Sequence, residues 1–183
     1  TVAANEITTI SVGEKVVYGT ALDPTATAKF GVPVFTYSTE ENGTYSTKAP
    51  TVAGSYFLKA TVAATENYDG ATRTLAFTIE KAESRVTTKP SAKELFANGA
   101  PQQLVTAGIA DGGTIVYATV DGEETEPSAS LADAGKWSRE IPSATAAGKY
   151  TVYYSVKGDE NHTDSTIGKV VAEIKKNDNA ISD

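Results

Sequence analysis

A hydrolytic triad needs a histidine that converges on a nucleophile and a carboxylate, and a histidine metal cluster needs several such rings. This chain has one histidine, His162. It occupies the position of Tyr68 in the internal repeat described below, so the site accepts aromatics of different chemistry, and a turn or packing role is expected. Paired carboxylates can cleave glycosides when they flank a cleft. The densest acidic groups are Glu40-Glu41, Glu123-Glu124-Glu126 and Asp159-Glu160. All fall in expected turns or loops, where solvated acids are ordinary.

Calcium wants several converging oxygens. Asp111, Asp121, Asp133, Asp159 and Asp164 are the loop acids that could supply them, yet no stretch has EF-hand spacing, and turn chemistry accounts for them more simply. Gly112-Gly113 lacks the Gly-Lys-Ser/Thr that completes a phosphate loop, so it reads as a tight turn. Flat aromatic faces can carry sugars. Strand alternation puts Phe57, Tyr153 and Trp137 at exposed positions, making them the candidate ligand-contact residues, although they do not align with one another between the repeats. A Lys–Asn or Lys–Asp isopeptide link would need a buried lysine beside an amide or acid, which sequence does not place. The reading is therefore one without catalytic residues, cofactor or metal.

The elements that would position these residues follow from composition and repetition. Thr, Ala, Val, Tyr and Gly are prominent and Met is missing, a bias toward strands, because β-branched and aromatic side chains suit a pleated half-buried surface. Hydrophobic residues make up 40% and charged ones 21%, which excludes a disordered polyelectrolyte. The net charge is −7, with the 16 Lys and Arg residues scattered, which argues against nucleic acid or an anionic membrane as partner. Without cysteine there is neither a disulfide framework nor a thiolate site. No apolar run is long enough to span a bilayer as a helix. The chain has no Met, even at position 1, and no signal peptide, so it is expected to be a mature piece of a longer precursor.

The chain repeats itself. Ala53-Gly54-Ser55-Tyr56 matches Ala147-Gly148-Lys149-Tyr150 at an offset of 94, and Leu75, Phe77 and Ile79 match Val170, Ala172 and Ile174 at 95. Upstream the offset drops to 80, where Gly19 falls on Gly99 and Tyr37 on Tyr117, so the second copy carries about 14 extra residues. Two modules are expected, 1–82 and 83–177, with the insertion near 121–139 and a tail or linker at 178–183. Tyr56, Leu58, Ala60 and Val62 alternate with Phe57, Lys59 and Thr61, as Tyr150, Val152, Tyr154 and Val156 do with Thr151, Tyr153 and Ser155, so the first set of each should face a core. Further strands are expected around Glu6–Val12, Val34–Thr39, Arg85–Thr88 and Thr114–Val120, separated by turns at Asn42-Gly43, Asp69-Gly70 and Asp111-Gly112-Gly113. Ser91–Phe96 offers at most one helical turn. The glycine of Ala-Gly should supply a turn conformation or a close backbone approach. The tyrosine after it should anchor a corner, ring in the core and hydroxyl on a backbone group. The fold class read from this pattern is all-β: two tandem immunoglobulin-like β-sandwich domains.

Ile141 to Tyr154, followed by Lys157-Gly158-Asp159-Glu160-Asn161-His162, resembles a repeat of bacterial surface proteins, and Val52 to Tyr56 with Asn67-Tyr68-Asp69-Gly70 is similar to the bacterial immunoglobulin-like group called MBG or YDG domains. The resemblance covers about half of each copy. It implies an extracellular or cell-surface location, as part of a secreted multidomain protein. It also implies a spacer role, with neighbouring domains of the same polypeptide as partners and a monomeric state. The alternative is an adhesin or carbohydrate-binding module that recognises a host protein or glycan.

Overall fold

The structure, a computed structural model, describes residues 1–120 and 137–177. The acids Asp121, Glu123, Glu124, Glu126 and Asp133, most of the expected insertion, and the 178–183 tail lie outside the described residues. The chain divides into two compact units, Thr1–Ala82 and Glu83–Asp183. Among the described residues the secondary structure is all β, in several sheets.

The first unit contains β1 (Ile7–Ser11), β2 (Thr25–Ala28), β3 (Val34–Ser38), β4 (Gly54–Val62) and β5 (Ala71–Ile79). β1 and β2 form one antiparallel pair, and β3, β4 and β5 form a three-stranded antiparallel sheet in that order. Its core follows the period of two along β4: Leu58, Ala60 and Val62 are buried, while Phe57, Lys59 and Thr61 on the other face are half-buried. Phe77 and Ile79 come in from β5, Tyr37 from β3, and Val12 and Val16 from the stretch after β1. A short antiparallel pair lying over a longer sheet with apolar side chains between them is consistent with a sandwich.

Then come β6 (Ala82–Glu83), β7 (Arg85–Thr88), β8 (Glu94–Phe96), β9 (Gln102–Gln103), β10 (Ile109–Asp111), β11 (Gly113–Val120), β12 (Ser143–Ala144), β13 (Gly148–Gly158), β14 (His162–Thr163) and β15 (Gly168–Lys175). β11, β13, β15 and β8 make a four-stranded sheet, antiparallel except that β8 joins β15 in parallel. β7 pairs with β10, and β9 with β12. Val152, Tyr154, Ala172 and Ile174 fill the core with Tyr117, Leu104 and Val105. The long hairpins of the two units share one register: Gly54 faces Ile79 and Leu58 faces Leu75, as Gly148 faces Ile174 and Val152 faces Val170.

Two expectations change. Ser91–Phe96 contains no helical turn; Glu94–Phe96 is a strand, because its backbone completes the edge of the sheet beside β15 while Leu95 packs on the core. A run that short gains more from ladder hydrogen bonds than from an isolated helical turn, whose nucleation is unfavourable. The Asp111-Gly112-Gly113 turn narrows to Gly112 (φ 77°), with Asp111 ending β10 and Gly113 opening β11.

Leu58 and Ile174 are 0% and 1% exposed. Truncating either, Leu58→Ala or Ile174→Ala, is expected to cost about 2–5 kcal/mol, seen as a lowered urea midpoint with little change in slope; a shift below about 1 kcal/mol would mean that these side chains are not core.

Candidate functional site

The residues after each Ala-Gly pair build the same feature twice. Tyr56 Oη donates to the Val52 carbonyl at 2.9 Å, and Tyr150 Oη donates to the Ala146 carbonyl at 2.8 Å. Both rings pack on their cores, Tyr56 lying 5.8 Å from Phe77 between centroids. Each tyrosine thus ties the chain entering the central strand to the sheet, as the corner reading expected. The glycine reading holds in one copy: Gly54 has a positive φ (158°), a conformation side chains rarely adopt, whereas Gly148 has no positive φ and a Cβ there would meet its nearest neighbour at 3.9 Å. The tyrosine hydrogen bond is the feature both copies share.

The three candidate ligand-contact aromatics meet different fates. Phe57 is half-buried on the outer face of β4. Tyr153 was expected to be exposed but is buried, at 6%, and Val116, Ala118 and Ser155 on the same face of the sheet are buried with it. Both faces of β13 are therefore covered, whereas the alternation rule assumes one wet face. Trp137 is half-buried with its Nε1 out of solvent.

The structure also moves Trp137 out of the extra segment. Ser138 exchanges two backbone hydrogen bonds with Tyr117 (2.7 and 2.9 Å), as Ser46 does with Tyr37 (2.7 and 2.8 Å). Trp137 therefore holds the place of Tyr45. The tyrosine–serine separation grows from 9 residues to 21, so 12 extra residues precede Trp137. The position paired with it in the first unit was missed by sequence reasoning: Lys59 Nζ lies 3.6 Å from the Tyr45 ring centroid. Tyr153 takes the place of Lys59 in the repeat, so a cation–π contact in one unit corresponds to two aromatics in the other. The 13 residues between Tyr45 and Lys59 follow no pattern that would have signalled the contact.

The lone histidine acts locally. His162 Nδ1 lies 2.7 Å from Asp159 Oδ1, which also accepts from the Asn161 amide at 2.8 Å. The Asp159 amide donates to the Gly112 carbonyl, and the His162 ring packs so close to Gly112 that a Cβ there would come within 2.6 Å of it. The hydrogen bond from His162, and then that from Asn161, hold the Asp159 carboxyl below its ordinary range. The remaining loop acids are engaged in pairs: Asp111 with Arg85 at 3.0 Å, and Asp164 with Lys157 at 3.2 Å and the Gly158 amide at 2.8 Å. Lys157 and Asp164 are both more than a third exposed, unlike the buried pair an isopeptide link requires. Glu40 and Glu41 lend their carbonyls to the turn, to the Gly43 amide and the Tyr45 hydroxyl. Among the described residues no group of three or more His, Cys, Asp or Glu side chains is arranged to hold a metal.

Comparison of the chain with family models, with curated proteins and with solved structures gives no match.

Removing one corner hydroxyl, by Tyr56→Phe or Tyr150→Phe, is expected to cost about 1 kcal/mol each, measurable as a lower denaturation midpoint; equal stability of the variants and the parent would deny the corner its role. Asp159, with a depressed pKa, contributes stability that is present above its unfolded value of 3.8 and lost as pH falls through the lower folded value. The melting-temperature difference between the parent and Asp159→Asn should therefore be largest near neutral pH and shrink on acidification below that value; a difference that grows there would reverse the sign.

Proposed function

We propose that the chain is a pair of tandem immunoglobulin-like β-sandwich modules with a non-catalytic, spacer role in a secreted or surface-displayed multidomain bacterial protein. The observation that carries this reading is what the two units have in common. They share the hairpin register, the tyrosine corner and the serine–tyrosine bridge at the sheet edge. Their outer-face side chains differ: Lys59 and Tyr45 in one, Tyr153 and Trp137 in the other. What repeats is the hairpin framework and its corner, and what varies lies on the opposite face of the central strand, a division that suits a scaffold. The sequence likeness to bacterial surface repeats and the net charge of −7, which favours solubility, fit the same role.

Pulling the full chain from its ends tests the reading. Two separate unfolding events are expected, releasing about 280 Å and about 340 Å at roughly 3.4 Å per residue. One cooperative release of the whole length would mean a single shared core and would end the spacer interpretation.

An adhesive role has one observation in its favour: Phe57 stays partly exposed on the outer face of β4. Should a glycan or matrix-protein screen return a ligand whose binding is lost in Phe57→Ala while the melting temperature holds, adhesion replaces the spacer role.

A further inference from the structure

The dipeptide Asn-Gly occurs twice, at Asn42-Gly43 and Asn98-Gly99. It carries a chemistry of its own, because the backbone nitrogen of the glycine can attack the side-chain Cγ of the asparagine before it, and glycine puts no side chain in the way. The structure sets the two sites in opposite situations. Asn42 lies in a braced turn. The Gly43 amide donates to the Glu40 carbonyl at 3.1 Å, so the nitrogen that would attack is already held. The Glu40 amide donates to Ser38 Oγ at 3.1 Å, and the Tyr45 hydroxyl donates to the Glu41 carbonyl at 2.9 Å. A Cβ on Gly43 would come within 2.9 Å of Ser38 Oγ, so the glycine is packed against the turn's own side chains. Closing a ring through Gly43 has to break these contacts.

Asn98 lies in the loop between β8 and β9, where Asn98, Gly99 and Ala100 are all exposed. The loop is tied at its two ends, by the Ala97 amide on the Lys175 carbonyl at 2.9 Å and by Gln102 Nε2 on the Phe96 carbonyl at 2.9 Å. Between these ties the Gly99 amide has no hydrogen-bond partner among the described residues. No group beyond its chain neighbours lies within 4 Å of the place its Cβ would take. Its φ of 77° is one that only glycine adopts readily, so the loop itself requires the least shielded residue here. The Ala100 amide donates to Asn98 Oδ1 at 3.0 Å. That bond folds the carboxamide back over the Asn98–Gly99 peptide. It also places an N–H on the oxygen that gains negative charge when Cγ is attacked, the arrangement of an oxyanion donor.

We propose that Asn98 is a self-modification site, converted to aspartate and isoaspartate with solvent water as co-reactant, while Asn42 is spared by its turn. The Gly99 nitrogen gives up its proton to solvent and bonds to Asn98 Cγ. The Cγ–Nδ2 bond breaks and that nitrogen leaves as ammonia. Water then opens the five-membered succinimide: at Cγ it yields aspartate, and at the backbone carbonyl it yields isoaspartate, whose chain runs on through Cγ. Nothing is oxidised or reduced. Each event replaces a neutral amide by a carboxylate and adds one negative charge to the net −7. The proposal goes beyond the spacer reading and does not depend on it.

The test is to age the full chain in mildly alkaline buffer, once folded and once in concentrated urea, and to follow each asparagine by peptide mass spectrometry. The product peptide is about 1 Da heavier than its parent, and an isoaspartyl methyltransferase labels the isoaspartate fraction. In the folded chain Asn98 should convert at least about fivefold faster than Asn42, because Asn42 must first give up the Gly43 hydrogen bond. In urea, where neither turn nor loop persists, the two rates should converge. Equal rates at the two sites of the folded chain, or a faster reaction at Asn42, would overturn the proposal. So would a preference for Asn98 that is undiminished in urea, since neighbouring sequence rather than the fold would then set it.

Discussion

In each unit the rest of the structure depends on the register of one long antiparallel hairpin. β4 against β5, and β13 against β15, place every second side chain in a core, and a slip of one residue would turn Leu58 or Val152 out to the opposite face. The tyrosine at the start of the central strand pins that register. Its ring lies in the apolar layer and its hydroxyl holds a carbonyl four residues back, so the strand enters the sheet at a fixed position and angle. The flanking elements then have definite edges to meet. Tyr37 and Tyr117 take their serine bridges, and Lys175 accepts from Ala97 just as Glu80 accepts from Tyr18.

Once the hairpin is fixed, the units differ by substitution at equivalent points. Arg73 binds two carbonyls of β1, whereas Gly168 in its place lets the Tyr154 ring pack against the backbone. Lys59 against Tyr153 decides whether the outer face carries a charge over a ring or a second buried aromatic. His162 against Tyr68 gives another case. The first unit's tyrosine stacks on Phe30 at 5.6 Å, whereas the second unit's histidine binds Asp159 and packs on Gly112. The first copy adds ring stacking to the backbone and Thr65 hydrogen bonds of its turn, whereas the second adds a hydrogen bond between a ring nitrogen and a carboxylate.

The sequence was most legible where apolar residues alternate over many positions. β4, β5 and β13 lie where period two put them, and β7 at Arg85–Thr88 coincides with expectation. Legibility failed for elements that borrow stability from a neighbour. Thr25–Ala28 is too small and polar to announce a strand, yet it pairs with β1 and half-buries Ala26 and Ala28. Glu94–Phe96 looks weakly helical and becomes an edge strand through its parallel partner. The placement of Trp137 failed for a related reason. Offset counting cannot locate an insertion within a loop, whereas the paired bonds of Ser138 to Tyr117 can.

Sequence alone determined the local chemistry: β-rich composition, two copies of one pattern, the core face of the central strands, and tyrosines whose amphipathic side chains suit a corner. These are set by spacing along the chain, and a period of two survives without knowledge of distant partners. Only the tertiary structure decided which polar groups are satisfied. That Tyr153 is covered, that Lys59 lies over Tyr45, and that the Tyr117 hydroxyl accepts from the Gly108 amide all depend on residues remote in sequence coming within a few ångströms. Burial and hydrogen bonding are properties of such encounters, and no pattern of neighbouring residues encodes them.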